Sequence, residues 1–542
     1  MRLYSAGIDS FARLREDGRI YVDKTGLIYR LAKESHFVFL NRPRRFGKTL
    51  LCSTMECYFQ GRKELFDGLE ISKYEKDWKK YPVFRFDLSG MKNQIKDIEV
   101  IQEALSLQLN HYEDVYGRND AEKTPGERLS GLIYRAHEQT GLRAVVIIDE
   151  YDSPLLDPLY KDILPEVSGI VEDLCQHLKI SSKHEQFVFI TGITKFSDWS
   201  ISSYINLSNI SMLDQYSELC GFTKDEILSV YEPDIRQIAE NNGCTFEEMV
   251  EKLRWHYDGY HFSEHSEGIY NPFSLTNVML KQEIGNYWFD SGSPKCLFDE
   301  YKKYNNNDLL SLPQITVSSS QFDVPAEAMF TVLPLLYQAG YLTIKHYEPL
   351  SHLYTLDFPN AEVKVGFLRN FFKYVLGIKN VYPENYAGRI YKALYFHDLD
   401  TLFNELQEFF ASIPYMDNDD AKELENVTKY ESFYEVITYI VFSMLSGFVQ
   451  THVKTASGRT DVVVYVKDTV YVMELKLDGS AEEALAQIDS KEYYIPYQSD
   501  NKNVVKIGMA FSSEKRTIVE HTVEAQNFAP RDLHNATVYG LP

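Results

Sequence analysis

A chain of 542 residues exceeds what one hydrophobic core supports and predicts roughly two to four domains. Its formal net charge of −23 excludes a general polyanion-coating role, because counterions are released only where Lys and Arg meet phosphate. Six cysteines, with no Cys-x-x-Cys pair and no His at zinc spacing, indicate neither a metal ribbon nor a disulfide framework.

Any nucleic-acid contact must therefore be confined to a groove whose cations, Mg²⁺ included, outweigh the surrounding acid. The N-terminus lacks a basic-then-apolar leader, and the longest apolar stretch, around Tyr439 to Val449, is too short to span a bilayer. The expected compartment is the cytoplasm, with no membrane partner.

In chain order, residues 1–225 alternate short apolar strands with longer helical segments. The strands are Phe37–Leu40, Val83–Asp87, Val145–Asp149 and Phe187–Thr191, which predicts a mostly parallel sheet covered by helices. The first strand delivers Arg42-Pro43-Arg44-Arg45-Phe46-Gly47-Lys48-Thr49 into a helix, the arrangement of a phosphate-binding loop. Arg42 stands where the usual G-x-x-x-x-G-K-[ST] pattern has its first glycine. Arg44, Arg45, Phe46, Gly47, Lys48, Thr49 and Leu50 are the candidate ATP-binding residues, with Thr49 a Mg²⁺ ligand and an arginine able to neutralise charge in cis. The third strand ends in Asp149 and Glu150, the first placed to hold Mg²⁺ and the second to polarise water. Thr191 is a candidate phosphate or water sensor, or equally a threonine bonded within its own strand end.

Residues 226–325 read as a helical lid or connecting region with Asn305–Asn307 and Ser318–Ser320 interruptions. From 326 to 416 an amphipathic helix through Met329, Leu333, Leu336 and Tyr337 stops at Gly340, and strands Tyr341–Ile344 and Tyr354–Phe358 follow. That order is compatible with a winged-helix element packing on the nucleotide domain. The acidic run Asp417-Asn418-Asp419-Asp420 marks the expected start of a last domain, 417–542. No internal repeat is present.

The last domain carries a second chemical centre. Gly458-Arg459-Thr460-Asp461 leads into a strand Val462–Val466, and a second strand ends Glu474-Leu475-Lys476. If Lys467-Asp468 is a two-residue turn, Asp461 lies opposite Glu474, close enough to share a divalent cation, and Lys476 faces the same way. A helix over Tyr430–Leu445 offers Glu431 or Glu435 as a further acid, and a helix over Ala481–Tyr494 carries Gln487 toward the same edge. A core strand follows at Val504–Phe511. The chemistry these residues suit is Mg²⁺-dependent phosphodiester hydrolysis.

Taken together, the chain resembles the bacterial and archaeal family that joins an AAA-ATPase-like domain to a C-terminal PD-(D/E)xK nuclease domain. The residues carrying it are Tyr21-Val22-Asp23-Lys24-Thr25, the R-P-R-R-F-G-K-T loop, Ile148–Asp152, Gly221-Phe222-Thr223, Tyr257–Tyr260 with Asn271–Ser274, and Gly340–Thr343. In the last domain they are Gly458-Arg459-x-Asp461, Glu474-x-Lys476 and Ala486-Gln487-Ile488. The resemblance implies a P-loop sheet with lid and winged helix, then a restriction-endonuclease-like α/β/α domain. It implies ATP and Mg²⁺ at Lys48, Thr49, Asp149 and Glu150, and a nuclease centre of Asp461, Glu474 and Lys476 that could also use Mn²⁺. Related nucleases often have Tyr four residues after such a Gln; here that position is Lys491. The expected partners are ATP and nucleic acid, DNA before RNA, with a homo-oligomer as an option. An ATP-driven switch whose last domain binds without cleaving is the alternative.

Overall fold

The computed structural model describes the chain except residues 1, 90–97, 155–163, 196–206, 291–294, 304–313, 326–328, 330, 379, 414–429, 446–448, 456–457, 467–468, 499–502 and 526–542. The expected domain boundary at Asp417–Asp420, the Asn305–Asn307 run and the Lys467-Asp468 turn lie outside the described residues. Two compact units emerge: 1–241 with 245–292 and 314–360, and 242–244 with 293–313 and 361–542. The division after Asn360 falls inside the stretch 326–416 that sequence treats as one region.

The first unit is built on a parallel sheet. Its strands are β1 (Phe37–Asn41), β2 (Val83–Asp87), β3 (Ala144–Asp149), β4 (Glu185–Gly192) and β5 (Ser208–Asn209), ordered β2-β3-β4-β1-β5. Every pairing is parallel, and all residues of β1 and β3 are buried, as strands covered on both faces must be. Helices Ile98–Tyr116, Pro125–Thr140 and Leu164–Ile180 cover one face, packing Leu105, Leu109, Leu132, Ile133 and Leu174 on Phe84, Phe86, Val146 and Ile148. The Lys48–Phe59 helix packs against β3, and its Phe59 stacks on Phe187 at 5.2 Å.

One core group is out of place electrostatically. Glu185 opens β4 fully buried; Oε1 accepts the Ser181 hydroxyl at 2.7 Å, and Oε2 has no hydrogen-bond partner among the described residues. Burial pushes its carboxyl up to about 8, with the Ser181 bond pulling back. A raised carboxyl favours folding below its unfolded value of 4.5 and loses that contribution as pH rises toward 8. Glu185→Gln is therefore expected to stabilise the protein by about 2–4 kcal/mol at pH 9 and to be neutral at pH 4. Thermal melts of both proteins across that range check it; equal midpoints at pH 9 contradict it.

After helices Lys224–Asn241, Phe246–Tyr257 and Pro272–Lys281, a small antiparallel sheet closes the unit. It comprises β6 (Ile315–Val317), β7 (Thr343–Glu348) and β8 (Leu353–Asp357), ordered β6-β8-β7. β6 has no counterpart in the sequence reading, and the helix before the hairpin, Leu333–Gln338, is six residues long. Its stop, Gly340, has φ +86°, and a Cβ there would come within 2.6 Å of the Pro43 ring. Lys195 Nζ pairs with Asp323 at 2.9 Å, and its backbone N donates to Gln338 Oε1 at 2.9 Å. This element thus packs against the loop that follows β1 and the segment that follows β4.

The second unit holds the sheet β9 (Val449–Thr455), β10 (Gly458–Val466), β11 (Thr469–Leu477), β12 (Asn503–Ser512) and β13 (Thr517–Ala525), ordered β13-β12-β11-β10-β9. The β11–β12 pair is parallel and the others antiparallel. The Ala481–Ser490 helix, started by a Ser480/Glu483 capping box, crosses between the parallel pair and packs on β11 and β12. Val463, Val470, Val472, Ile488, Tyr493 and Tyr497 form the core beneath it. Among the described residues no helix is long and apolar enough to cross a membrane.

Candidate nucleotide and nuclease centres

The first centre starts where β1 stops. Gly47, at φ 88°, turns the chain into the Lys48–Phe59 helix, and Arg45 at φ 67° curls the loop before it. Lys48 is buried, 4% exposed, and its Nζ donates to the loop's own carbonyls, Arg42 O at 3.1 Å and Pro43 O at 3.2 Å. The cation is thus held inside the loop by groups that a phosphate can replace. Leu50 and Thr49 follow, both half-buried, and a polar cleft of about 390 Å³ opens beside Thr49, walled in part by Arg85 and Asp87.

Asp149 ends β3, with β4 between it and β1, so about 10 Å of sheet separates the two strands. It is fully buried, and neither carboxylate oxygen has a hydrogen-bond partner among the described residues. Burial pushes its carboxyl up to about 6; the Lys48 charge and then the Thr49 hydroxyl pull it down. Thr49 lies near enough to favour the anion without completing a bond of normal geometry. A buried carboxylate with unmet acceptor capacity beside a hydroxyl and an ammonium fits a hard divalent cation.

Glu150 follows at φ 47°, a left-handed conformation costing a side-chain residue about 1 kcal/mol and common at functional sites. The next two residues hold the strand ends together, a role sequence reasoning missed. Tyr151 N donates to Thr191 O at 3.1 Å and its hydroxyl to Thr194 O at 3.0 Å. Asp152 Oδ2 accepts Ile193 N at 2.9 Å, Thr194 N at 2.6 Å and the Thr194 hydroxyl at 2.7 Å. The available signal was a third acid, three residues after Asp149.

Two side chains in the loop region turn inward. Thr191 is fully buried and donates its hydroxyl to Leu40 O at 2.7 Å, the strand-tied alternative to the sensor role. The Phe46 side chain lies buried against Tyr260 and Phe262, at 4.7 and 5.3 Å between ring centres, so the ring anchors the loop and only the backbone of this residue is left to meet a ligand. Arg44 and Arg45 are exposed, the latter over the Phe273 ring at 5.0 Å.

The second centre lies on β10 and β11. Val466 pairs with Thr469 and Val462 with Met473, as a two-residue turn at 467–468 requires. Extended one step beyond the observed pairs, that register would set position 461 opposite position 474. The side chains of Asp461, Glu431 and Glu435 lie outside the described residues. Glu474 is 3% exposed on the strand face that Val470 and Val472 share. Gln487 bridges it to Lys476: its Nε2 donates to Glu474 Oε1, and Lys476 Nζ donates to its Oε1. Carboxylate, amide and ammonium thus form one chain. Of the tyrosines beyond Lys491, Tyr493 is buried in the core and the Tyr494 ring lies 4.2 Å from Lys506 Nζ. The hard oxygen donor of Glu474 suits Mg²⁺ or Mn²⁺. Among the described residues no group of three or more His, Cys, Asp or Glu converges as a metal cluster.

What lets Gln487 reach is a glycine. Gly508 pairs with Glu474 across β11 and β12, and a Cβ there would strike Ala481 O and approach Leu485 N to 2.7 Å. Gly508→Ala is expected to destabilise this unit by about 1–3 kcal/mol by pushing the helix outward, and to lower any activity that depends on Gln487. Chemical denaturation with a cleavage assay on the folded fraction checks this. Unchanged stability and rate count against it.

A parallel sheet presenting a phosphate loop and acidic strand, and a separate sheet presenting Glu474, Lys476 and Gln487, define a P-loop ATPase-like protein with a nuclease-superfamily domain. The family model described as "Predicted AAA-ATPase" matches residues 5–202, and that of the PD-(D/E)XK nuclease superfamily matches residues 429–521. An uncharacterized protein encoded in the vnfD 5′ region of Azotobacter chroococcum mcd 1 is 31% identical over 531 residues, covering 96% of this chain and 98% of that protein. The chain belongs to the family these share, joining an AAA-ATPase-like domain to a C-terminal PD-(D/E)XK domain. Two solved structures are more distantly similar. The Aeropyrum pernix ORC2 protein in ADPNP–ADP complexes is 12% identical over 62% of this chain and 87% of its own, with a TM-score of 0.22. The A. pernix ORC1 protein in complex with DNA is 10% identical over 66% of this chain and 95% of its own, with a TM-score of 0.23. At those scores neither carries an argument about this chain.

Proposed function

We propose that this protein binds ATP at the Lys48 loop and that its nucleotide state governs a metal-dependent phosphodiester hydrolase acting on DNA, RNA being the alternative target. The observation that carries the hydrolase reading is the Glu474–Gln487–Lys476 chain, which commits three polar side chains to one geometry between the central strand of the sheet and the helix packed on it. Lys48 receives the phosphates, Thr49 and Asp149 hold Mg²⁺, and Glu150 orients water. Glu474 and Asp461 hold Mg²⁺ or Mn²⁺ in the second unit, with Glu431 as a further acid. When bound, that cation supplies Lewis acidity and a more acidic water. Lys476 places a fixed positive charge where negative charge develops, and Gln487 orients both it and Glu474.

A second reading, an ATP-driven assembly switch whose C-terminal domain binds without cutting, is favoured by the net charge of −23, which opposes extended nucleic-acid contact. One experiment separates them: incubation of circular single-stranded DNA, plasmid and structured RNA with Mg²⁺ or Mn²⁺, with and without ATP. Metal-dependent cleavage that responds to ATP supports the first. Absence of cleavage with an ATP-dependent rise in mass by light scattering supports the second.

A further inference from the structure

Arg42 occupies the position that the common phosphate-loop pattern gives to glycine, and it does something there that glycine cannot. Its side chain is turned inward, 1% exposed. Nη1 donates to Asn41 O at 2.9 Å and Ser211 O at 2.8 Å, Nη2 donates to Tyr216 O at 3.3 Å, and the guanidinium carbon lies 4.1 Å from the centre of the Phe262 ring. No carboxylate pairs with it among the described residues. Burying a cation is costly, and here carbonyl dipoles and a ring face offset the cost. A planar fork reaches several carbonyls at once, which a lysine's single ammonium cannot do in the same geometry.

The backbone of the same residue is equally committed. Arg42 N donates to Gly192 O at 3.1 Å, tying the loop's entry to the end of β4, and Arg42 O accepts Lys48 Nζ at 3.1 Å. Its neighbour Asn41 N donates to Ser211 Oγ at 2.9 Å. One residue therefore links the segment after β5, the end of β4 and the loop lysine.

We propose that Arg42 is a positioning residue for nucleotide binding: its guanidinium, held by the Ser211 and Tyr216 carbonyls and the Phe262 ring, fixes where the loop begins and so aims its peptide groups at the phosphates. The proposal rests on the ATP-binding reading above. When Lys48 moves from Arg42 O to a phosphate, the loop keeps its shape because the Arg42 side chain holds it from behind. Arg42→Gly restores the glycine of the common pattern, yet it strips Ser211 O of its donor and gives the loop entry glycine's conformational freedom.

The test is titration of wild type, Lys48→Ala, Arg42→Gly and Arg42→Lys with Mg·ATP, by calorimetry, with circular dichroism to establish folding. Arg42→Gly is expected to bind at least about tenfold more weakly. Guanidinium ion, added well below denaturing concentrations, is expected to recover part of the loss by refilling the vacated space, and methylammonium is not. Wild-type affinity in folded Arg42→Gly overturns the proposal, as does a loss that guanidinium leaves unchanged. If Arg42→Gly does not fold, Arg42→Lys decides: weakened binding supports the guanidinium role, and wild-type binding overturns it. Wild type binding no better than Lys48→Ala instead sinks the ATP-binding reading, and this proposal with it.

Discussion

Lys476→Ala is expected to lower metal-dependent cleavage by about 10³-fold while leaving the fold intact. The side chain is half-buried near the end of β11, so its truncation removes no large core contact. It does remove a positive charge and the donor that fixes Gln487 Oε1. With that donor gone the Gln487 amide can rotate, and Glu474 loses the orientation given by Gln487 Nε2. One substitution therefore removes a positive charge and also loosens the Glu474 carboxylate. Gln487→Ala alone is expected to cost less, about tenfold, and the double variant less than the product of the two, because the three side chains act as a unit. Single-turnover cleavage rates for the four proteins measure this. Cleavage by Lys476→Ala at the wild-type rate would remove the hydrolase assignment from this site.

Asp149→Asn is expected to move stability and ATP turnover in opposite directions. The buried carboxylate destabilises the ligand-free fold, since its carboxyl is pushed up to about 6 from 3.8. A raised carboxyl helps folding below the unfolded value, and that help is lost as pH climbs to the folded one. The amide should therefore stabilise the protein by about 1–3 kcal/mol above pH 6, with the gain disappearing below pH 4. It should also abolish Mg²⁺-dependent ATP turnover, because a neutral amide is a poorer ligand for a hard cation. A melting temperature that rises at pH 8 while turnover falls to background is the expected pair of results. A lower melting temperature at pH 8 would mean that Asp149 has a stabilising partner in the folded chain. That pair of results would identify the buried acid as stability given up for function.

How much of this was legible depended on the range of the interactions involved. The core strands β1, β3 and β4 were readable because parallel strands buried on both faces contain uninterrupted apolar runs, whereas β2, at the sheet edge, alternates buried Phe84 and Phe86 with Arg85 and Asp87. The β10–β11 register was readable because pairing Val466 with Thr469 fixes every pair that follows. β5 and β6, of two and three residues, are too short for any periodicity to reveal. Thr191 shows the limit at a single residue: sequence places a hydroxyl at the strand end, and the neighbouring Leu40 carbonyl, 151 positions away, takes it.

The amino-acid sequence by itself determined the kinds of chemistry present: a lysine and threonine at a helix start, an acidic strand end, and a Glu-x-Lys strand beside a hairpin. Those signals are local, carried by spacings of a few residues that strand and helix geometry convert directly into direction. Only the tertiary structure decided what surrounds them. It set β4 between the lysine and aspartate strands, left Asp149 buried with its acceptors unmet, and drew Gln487 between Glu474 and Lys476. It also turned Arg42 inward onto carbonyls 169 and 174 residues away. Burial and hydrogen-bond satisfaction are properties of the packed chain, summed over neighbours distant in sequence, so no local pattern carries them.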